Sequence, residues 1–368
     1  MVSEPKKYGS DRCITIVGQS GSGKTHILSA LLHSASACDQ LIYHEPSLLN
    51  PRFQPLPTQS IDDEINLGRL QTQFESILAG HEDLVAGTDN VCRYPAMLRY
   101  DQPVEPSVAT NGKKGWGLFG RQPEKVDQKT EQVYREFQIV DGRGGDLAQG
   151  FAKSEADRVR SVEDSNNLLL EYRDGMAASV GIIICLPTSS AEFDPGIMRR
   201  FQNEIQRAIA DKADDPSLPS LERVSLCFTK YEAHFVDYGP DAFDAANDPD
   251  VFIEMMREQP AMKLFRESLA HEPFDFRIFP VSTYGFVSGS GGANFYNYEH
   301  MPGLMSRVIP EEDFSNPHFP KYRDHFPVAL NAGQAEQLWH PFNIAPPFVY
   351  ALTGEEYGPL CLRPEEFV

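Results

Sequence analysis

The stretch IVGQSGSGKTHIL, Ile16 to Leu28, sets three glycines, two serines and one lysine between an apolar run and an apolar helical pattern. It contains GxxxxGK[ST] as Gly18-Gln-Ser20-Gly21-Ser22-Gly23-Lys24-Thr25, with a strand-like run before it and a helix pattern after it. A phosphate group needs many N–H donors at close range and no side chains in the way. Glycines let the backbone curl so that its N–H groups point inward, and the start of the following helix adds partial positive charge. The predicted binding set is therefore Gly18, Ser20, Gly21, Ser22 and Gly23 along the loop, then Lys24, Thr25 and His26 at the helix start. Lys24 is placed to bridge β- and γ-phosphate oxygens, a catalytic as well as a binding role. Thr25 is placed to offer its hydroxyl to Mg2+. Nucleoside triphosphate binding is the strongest expectation the sequence supports.

Bulk properties narrow the class. The chain has 368 residues, enough to bury one large core or two. With 41% hydrophobic and 23% charged residues it reads as an ordinary globular protein. A formal charge of −20 opposes sequence-independent binding to nucleic acid or to an anionic bilayer, which both require positive surface. No apolar run approaches the roughly 20 residues of a membrane span; the longest, VGIIICLP at 180–187, is strand-sized. The first residues, MVSEPKKYGSDR, contain no apolar core of a secretory leader. The cysteines at 13, 38, 92, 185, 227 and 361 form no CxxC pair. Cys13, Cys185 and Cys227 fall in apolar runs and read as reduced core thiols, which points to the cytoplasm. The histidines show no metal spacing, so no metal beyond Mg2+ is expected.

Strand-length apolar runs recur at 12–17, 94–100, 135–141, 179–187, 223–230 and 275–282. Several are almost continuously apolar, as in strands covered on both faces. Helical patterns lie between them. In DPGIMRRFQNEIQRAIADK, Asp194 and Pro195 open a helix whose Ile197, Phe201, Ile205 and Ile209 recur every four residues. A second Asp-Pro start, at Asp248, begins a helical pattern that Pro260 should split. Alternating strands and helices predict an α/β fold with a mostly parallel sheet covered on both sides. Residues 101–132 (with NGKKGWGLFGRQPEK), 233–273 and 286–340 read as additions to that frame, the first as an extended hairpin.

A second motif ends the run REFQIVD. Asp141-Gly-Arg143-Gly144 is a DxxG arrangement at a strand end. Asp141 is placed to hold Mg2+, and the Gly144 N–H to touch the γ-phosphate and so sense its loss. A threonine upstream should also reach the metal. Thr88 is the choice, with Thr58 and Thr72 as competitors, because setting aside 101–132 leaves from Thr88 to Asp141 the length of a loop and two antiparallel strands. The residue after DxxG is Gly145, where a water-orienting glutamine would be useful. Asp146 and Arg143 are the catalytic candidates nearby. Arg143 could offset transition-state charge, or could equally be a solvated loop arginine.

A third motif, Thr229-Lys230-Tyr231-Glu232, ends another strand, and Ser282-Thr283-Tyr284 ends the next. In this order the motifs resemble those of the Ras-like (TRAFAC-class) P-loop GTPases. The resemblance implies a six-stranded, mostly parallel Ras-like sheet with helices on both faces. It makes Thr229, Lys230 and Glu232 the base-reading set, with Glu232 where that family carries aspartate, and Ser282, Thr283 and Tyr284 a loop against the guanine oxygen. The longer side chain of Glu232 keeps adenine, or loose discrimination, open as alternatives. Coverage runs from about residue 12 to 285. The long interval before DxxG, the TKYE variant and Pro341-Phe-Asn-Ile-Ala-Pro-Pro-Phe348 look most like bacterial double-GTPase domains. That implies a GTP/GDP switch with Mg2+ and slow intrinsic turnover in a prokaryotic cytosol, with a role in host–invader conflict, working beside a second GTPase subunit, another protein or itself. The implied organisation is a GTPase domain at 1–285, with insertions near 101–132 and 233–273, and an irregular C-terminal extension at 286–368. Two rivals stay open: a nucleotide-gated scaffold that binds GTP with little hydrolysis, favoured by Gly145, and a P-loop ATPase or kinase, which leaves the second and third motifs unexplained.

Overall fold

The computed structural model describes residues 6–8, 12–18, 21–34, 49–58, 60–79, 91–103, 130–142, 175–188, 193, 195–214, 221–268, 274–287, 293, 339–358 and 360–367. Its centre is an eight-stranded sheet of β1 (Lys6–Tyr8), β2 (Cys13–Gly18), β3 (Leu49–Pro55), β4 (Cys92–Pro103), β5 (Thr130–Asp141), β6 (Ser179–Pro187), β7 (Arg223–Thr229) and β8 (Asp275–Pro280). The order across the sheet is β3-β4-β5-β2-β6-β7-β8. All pairings are parallel except those of β4, which runs against both β3 and β5. All six expected strands are present, and two more bring the sheet to eight. β1 pairs with Val133–Arg135 of β5, just beyond the β2 pairing, so it continues the line of β2 after an interruption. β3, LNPRFQP, carries two prolines and reads as loop; at the edge of the sheet a missing N–H costs little. β4 and β5 both run on into the segment expected as an insertion, and the residues between them, 104–129, lie outside the described ones.

Residue parity along the strands feeds two cores. On β6, Ile182, Ile184 and Leu186 face one side, Ile183 and Cys185 the other. On the Ile183 side lie α1 (Lys24–His33), α2 (Ile61–Ala79) and α7 (Ala345–Thr353). On the opposite side lie α3 (Pro195–Asp214), a 3-10 helix (Tyr231–Asp241), α4 (Ala242–Ala246), α5 (Pro249–Arg257) and α6 (Pro260–Ser268). Phe201 and Ile205 bury the α3 stripe as its spacing predicts. The break before Pro260 is where expected, and Asp248 caps α5 by accepting from the Asp250 N–H at 2.9 Å. The connection at 233–273 is thus helical over 233–268 and covers the sheet.

β9 (Ser282–Val287) and β10 (Trp339–Phe342) form a separate antiparallel pair that leads into α7. Ala345 to Leu352 are all buried, so α7 is apolar all round, as befits a helix with no wet face. It lies close against the strands because the sheet is small beneath it. A Cβ on Gly181 would stand 2.6 Å from the Ala351 carbonyl, and Ser225 Oγ donates to the Pro347 carbonyl at 2.8 Å.

Candidate functional site

β2 is where the chain's strand order reverses: after β2 the chain first fills one side of it with β3, β4 and β5 and then the other with β6, β7 and β8. In such sheets the crevice beyond the carboxyl ends of the strands, at the reversal, is the natural ligand site. β2 delivers Gly18 there. The loop turns through Gly21 (φ 77°) and Gly23 (φ 80°), both left-handed, a conformation that costs glycine little. Gly18 answers to crowding instead: a Cβ there would lie 2.6 Å from both the Cys185 carbonyl oxygen and Ser22 Oγ. Strand, glycine loop and helix at the reversal of a doubly covered parallel sheet make this a P-loop NTPase fold.

Lys24, at the first position of α1, is 7% exposed, and its ammonium donates to the Gly18 carbonyl at 3.0 Å. The lysine ties the two ends of the loop together. Burial pushes its pKa down, and the Asp141 carboxylate acts against that shift. Asp141 is fully buried at the end of β5, in register with Ile16 of β2 and Cys92 of β4. The first two motifs therefore meet across one strand pair. Thr25 is half-buried in the first turn of α1. Ser22 Oγ is buried and has no hydrogen-bond partner among the described residues.

The third motif is held by its neighbours. The N–H and hydroxyl of Thr188, just past β6, each donate to the Thr229 carbonyl at 3.0 Å, and that hydroxyl also reaches the Lys230 carbonyl at 3.3 Å. Lys230 is left-handed (φ 60°), and the Tyr231 N–H then donates to the Val281 carbonyl at 3.3 Å. Tyr231 is fully buried against Phe235, Phe252 and Phe342. Beside this anchor Glu232 sits at 1% exposure. At the start of β9 the Gly285 N–H donates to Ser282 Oγ at 2.6 Å. The Tyr284 ring lies 6.1 Å from that of His26. Burial, and secondly the Lys230 ammonium, push the His26 imidazole down to about 4. His26, Lys230 and Tyr284 thus converge from three elements.

Two contributors escape a reading of sequence. Thr188 carries no motif; its only signal is a hydroxyl at the end of an apolar strand. Asn343 lies within the PFN stretch, left-handed (φ 54°), and its side-chain amide donates to the Pro280 carbonyl at 2.8 Å, just before β9. Ser282, Thr283 and Tyr284, expected as a loop, form the first half of β9, and the C-terminal stretch braces its start. Of the rival threonines, Thr58 Oγ1 bonds to Asp63 Oδ2 at the start of α2, and Thr72 back-bonds to the Gly68 carbonyl within it. Ser20, Thr88, Arg143, Gly144 and Asp146 lie outside the described residues. Among the described residues no group of three or more His, Cys, Asp and Glu side chains is arranged to hold a metal.

No family model and no curated protein matches the chain. Among solved structures it is similar to a variant of Era from Aquifex aeolicus bound to GDP·AlF4−, at 12% identity and TM-score 0.30, over 76% of this chain and 52% of Era's. It is also similar to the SRb-GTP/SRX complex of the signal recognition particle receptor from Chaetomium thermophilum, at 11% identity and TM-score 0.30, over 77% of this chain and 96% of the other. The chain thus spans about half the length of the Era structure. At these values neither structure bears on what this chain does, and its own residues must.

Proposed function

We propose that this chain is a GTP-binding switch that hydrolyses its nucleotide slowly. The observation that carries the reading is Lys24, buried in a curled glycine loop beside the buried Asp141 at the reversal of the sheet. A buried ammonium is costly unless it has an anion to meet, and phosphate oxygens supply one. They also supply an acceptor for the buried Ser22 hydroxyl. Thr25, next to that lysine in the chain, and Asp141, whose charge acts on it, are hard oxygen donors of the kind that fits Mg2+, with Thr88 proposed as a third contact. When bound, Mg2+ would neutralise charge on the β- and γ-phosphates. Gly144 is proposed to read the γ-phosphate by its N–H, and Arg143 and Asp146 to assist at the reacting end. With Gly145 after DxxG, turnover is slow unless a partner assists.

Guanine is the proposed base. Glu232 offers two carboxylate oxygens to the N1–H and 2-amino donors of guanine, which adenine lacks. Thr188 and the Tyr231 anchor hold the Glu232 backbone in place. Ser282, Thr283 and Tyr284 close the other side of the base, braced by Asn343. The test is titration of fluorescent GTP and ATP analogues with Mg2+. GTP should bind more tightly, Lys24→Ala should abolish tight binding, and Glu232→Ala should bring GTP and ATP together. Equal affinities in the unmodified chain would overturn the base assignment. Single-turnover phosphate release then separates a slow enzyme from a scaffold that keeps GTP intact.

A further inference from the structure

Beside the phosphate loop, two neighbouring strands carry cysteines that face each other. Cys185 of β6 and Cys227 of β7 are register partners on parallel strands. Both belong to the core on the α1 and α7 side of the sheet, and both are free thiols, 0% and 1% exposed. Among the described residues no other two cysteines are register partners. Burial first, and then a hydrogen bond to the Cys185 side chain, hold the Cys227 thiol well above its usual pKa. Cys227 thus keeps its proton and shares it with the Cys185 sulfur. Paired strands lie about 4.7–4.9 Å apart, inside the roughly 4.4–6.8 Å between Cα atoms that a disulfide spans. Joining these two sulfurs therefore needs a small approach of β6 to β7 and no change of register.

The pair adjoins the start of the phosphate loop. Cys185 is the register partner of Gly18, where that loop begins. A Cβ on Gly18 would lie 2.6 Å from the Cys185 carbonyl oxygen and 3.0 Å from the Cys185 Cβ, so no slack separates the loop from this residue. Lys24, whose ammonium bonds to the Gly18 carbonyl, is acted on by Asp141 and then by Cys185, both opposing the effect of burial. A nearby ammonium favours thiolate, the nucleophilic form of cysteine, which makes Cys185 the attacking sulfur of the two. Cys227 in turn lies just before Thr229 on β7, and Thr188, just past β6, bonds to the Thr229 carbonyl. The two thiols therefore sit between the phosphate loop and the Thr229-Lys230-Tyr231-Glu232 motif.

We propose that Cys185 and Cys227 are a redox pair that hydrogen peroxide closes to a disulfide, and that the disulfide weakens nucleotide binding at the adjoining loop. The Cys185 sulfur attacks one peroxide oxygen. The O–O bond breaks, an S–O bond forms, and the other oxygen leaves as water. The Cys227 sulfur then attacks that of Cys185. The S–S bond forms, the S–O bond breaks, and the hydroxyl leaves as water with the Cys227 proton. Two thiols lose two electrons, and one peroxide becomes two waters. An oxidant of two heavy atoms suits so enclosed a pair, and its approach lies past Lys24, where nucleotide phosphates are proposed to bind. β6 stands between β2 and β7, so drawing Cys185 towards Cys227 draws it away from Gly18. The Gly18 end of the loop, and with it the Lys24 bond, loses its support. This effect on nucleotide rests on the function proposed above; the disulfide itself does not.

The test is hydrogen peroxide treatment of the folded, nucleotide-free chain, then alkylation in denaturant and peptide mapping without reductant. A linked pair of peptides holding Cys185 and Cys227 is expected, cleaved by dithiothreitol and absent from Cys227→Ala. Linkage should weaken binding of a fluorescent GTP analogue at least about tenfold, and dithiothreitol should restore it. Cys227→Ala should keep its affinity through the same treatment, which separates the disulfide from oxidation elsewhere. Cys185 and Cys227 both found free, at a peroxide concentration that oxidises the more accessible Cys361, overturns the pair. A linked chain that binds the analogue as tightly as the reduced chain overturns the effect on the loop. Should the reduced chain bind no nucleotide at all, the proposed function falls, and the peptide map alone still decides whether the pair closes.

Discussion

At the scale of single residues, the site carries two titrating groups that folding disfavours in their charged forms. Lys24 is held below its ordinary pKa of about 10.5, chiefly by burial. The folded chain therefore binds fewer protons at Lys24 than the unfolded chain does, so stability rises as pH climbs towards that value. Lys24→Met removes the buried cation. We expect it to raise the unfolding temperature of the nucleotide-free chain at neutral pH, flatten the alkaline rise, and erase any stabilisation by GTP. A lowered unfolding temperature with GTP stabilisation intact would refute the role given to Lys24. His26 shifts in the same direction, from an ordinary 6.5 to about 4. Its neutral ring favours the fold above pH 6.5, and that contribution is lost as pH falls from 6.5 through 4. Chemical denaturation across this window should show less acid loss in His26→Gln than in the unmodified chain, and an identical slope would count against the burial of His26.

Among elements, the pair β9–β10 is where a backbone constraint reaches the site. Gly285 is left-handed (φ 58°), and a Cβ there would collide with the His340 carbonyl. Gly285→Ala must therefore part the two strands or distort the turn, at a cost of about 1–3 kcal/mol. Because the Gly285 N–H also bonds to Ser282, the same change should weaken nucleotide affinity, whereas Gly68→Ala, in open space on α2, should do neither. Denaturant midpoints and nucleotide titration on both variants decide this. Physical reasons also govern which elements were legible beforehand. The phosphate loop, the Asp141 strand end, the central strands and the helices with Asp-Pro starts announce themselves through spacing, buried apolar runs and caps. β1 is only three residues and β3 holds prolines, so local pattern is silent there, whereas α2 does carry Leu67, Leu70 and Phe74 at helical spacing. The bracing by Thr188 and Asn343 is tertiary, joining carbonyls 41 and 63 residues distant along the chain. No window of sequence contains it.

For the whole molecule, the decisive relation is between α7 and the sheet. Its backbone approaches Gly181, its Tyr350 hydroxyl donates to the Asp275 carbonyl at 3.0 Å, and its end meets Arg12 and Arg135. The stretch after it is tied down too: Leu362 bridges to Ile278, and Arg277 binds both Asp275 and Glu356. Ile344, Phe348, Val349, Tyr350 and Leu352 are each fully buried. Burying a large apolar side chain contributes about 1.5–3 kcal/mol, so these five together are comparable with the whole stability of an ordinary domain, about 5–15 kcal/mol. This C-terminal helix therefore acts as part of the sheet's core. Ending the chain before Trp339 should remove the cooperative unfolding transition and expose apolar surface to a dye such as ANS. Gly181→Leu, which pushes α7 away without deleting it, should lower stability by about 1–3 kcal/mol or more while keeping a single transition. A truncated chain that still unfolds cooperatively and binds nucleotide would show the opposite: that residues before β10 form a self-sufficient core and α7 merely rests on it.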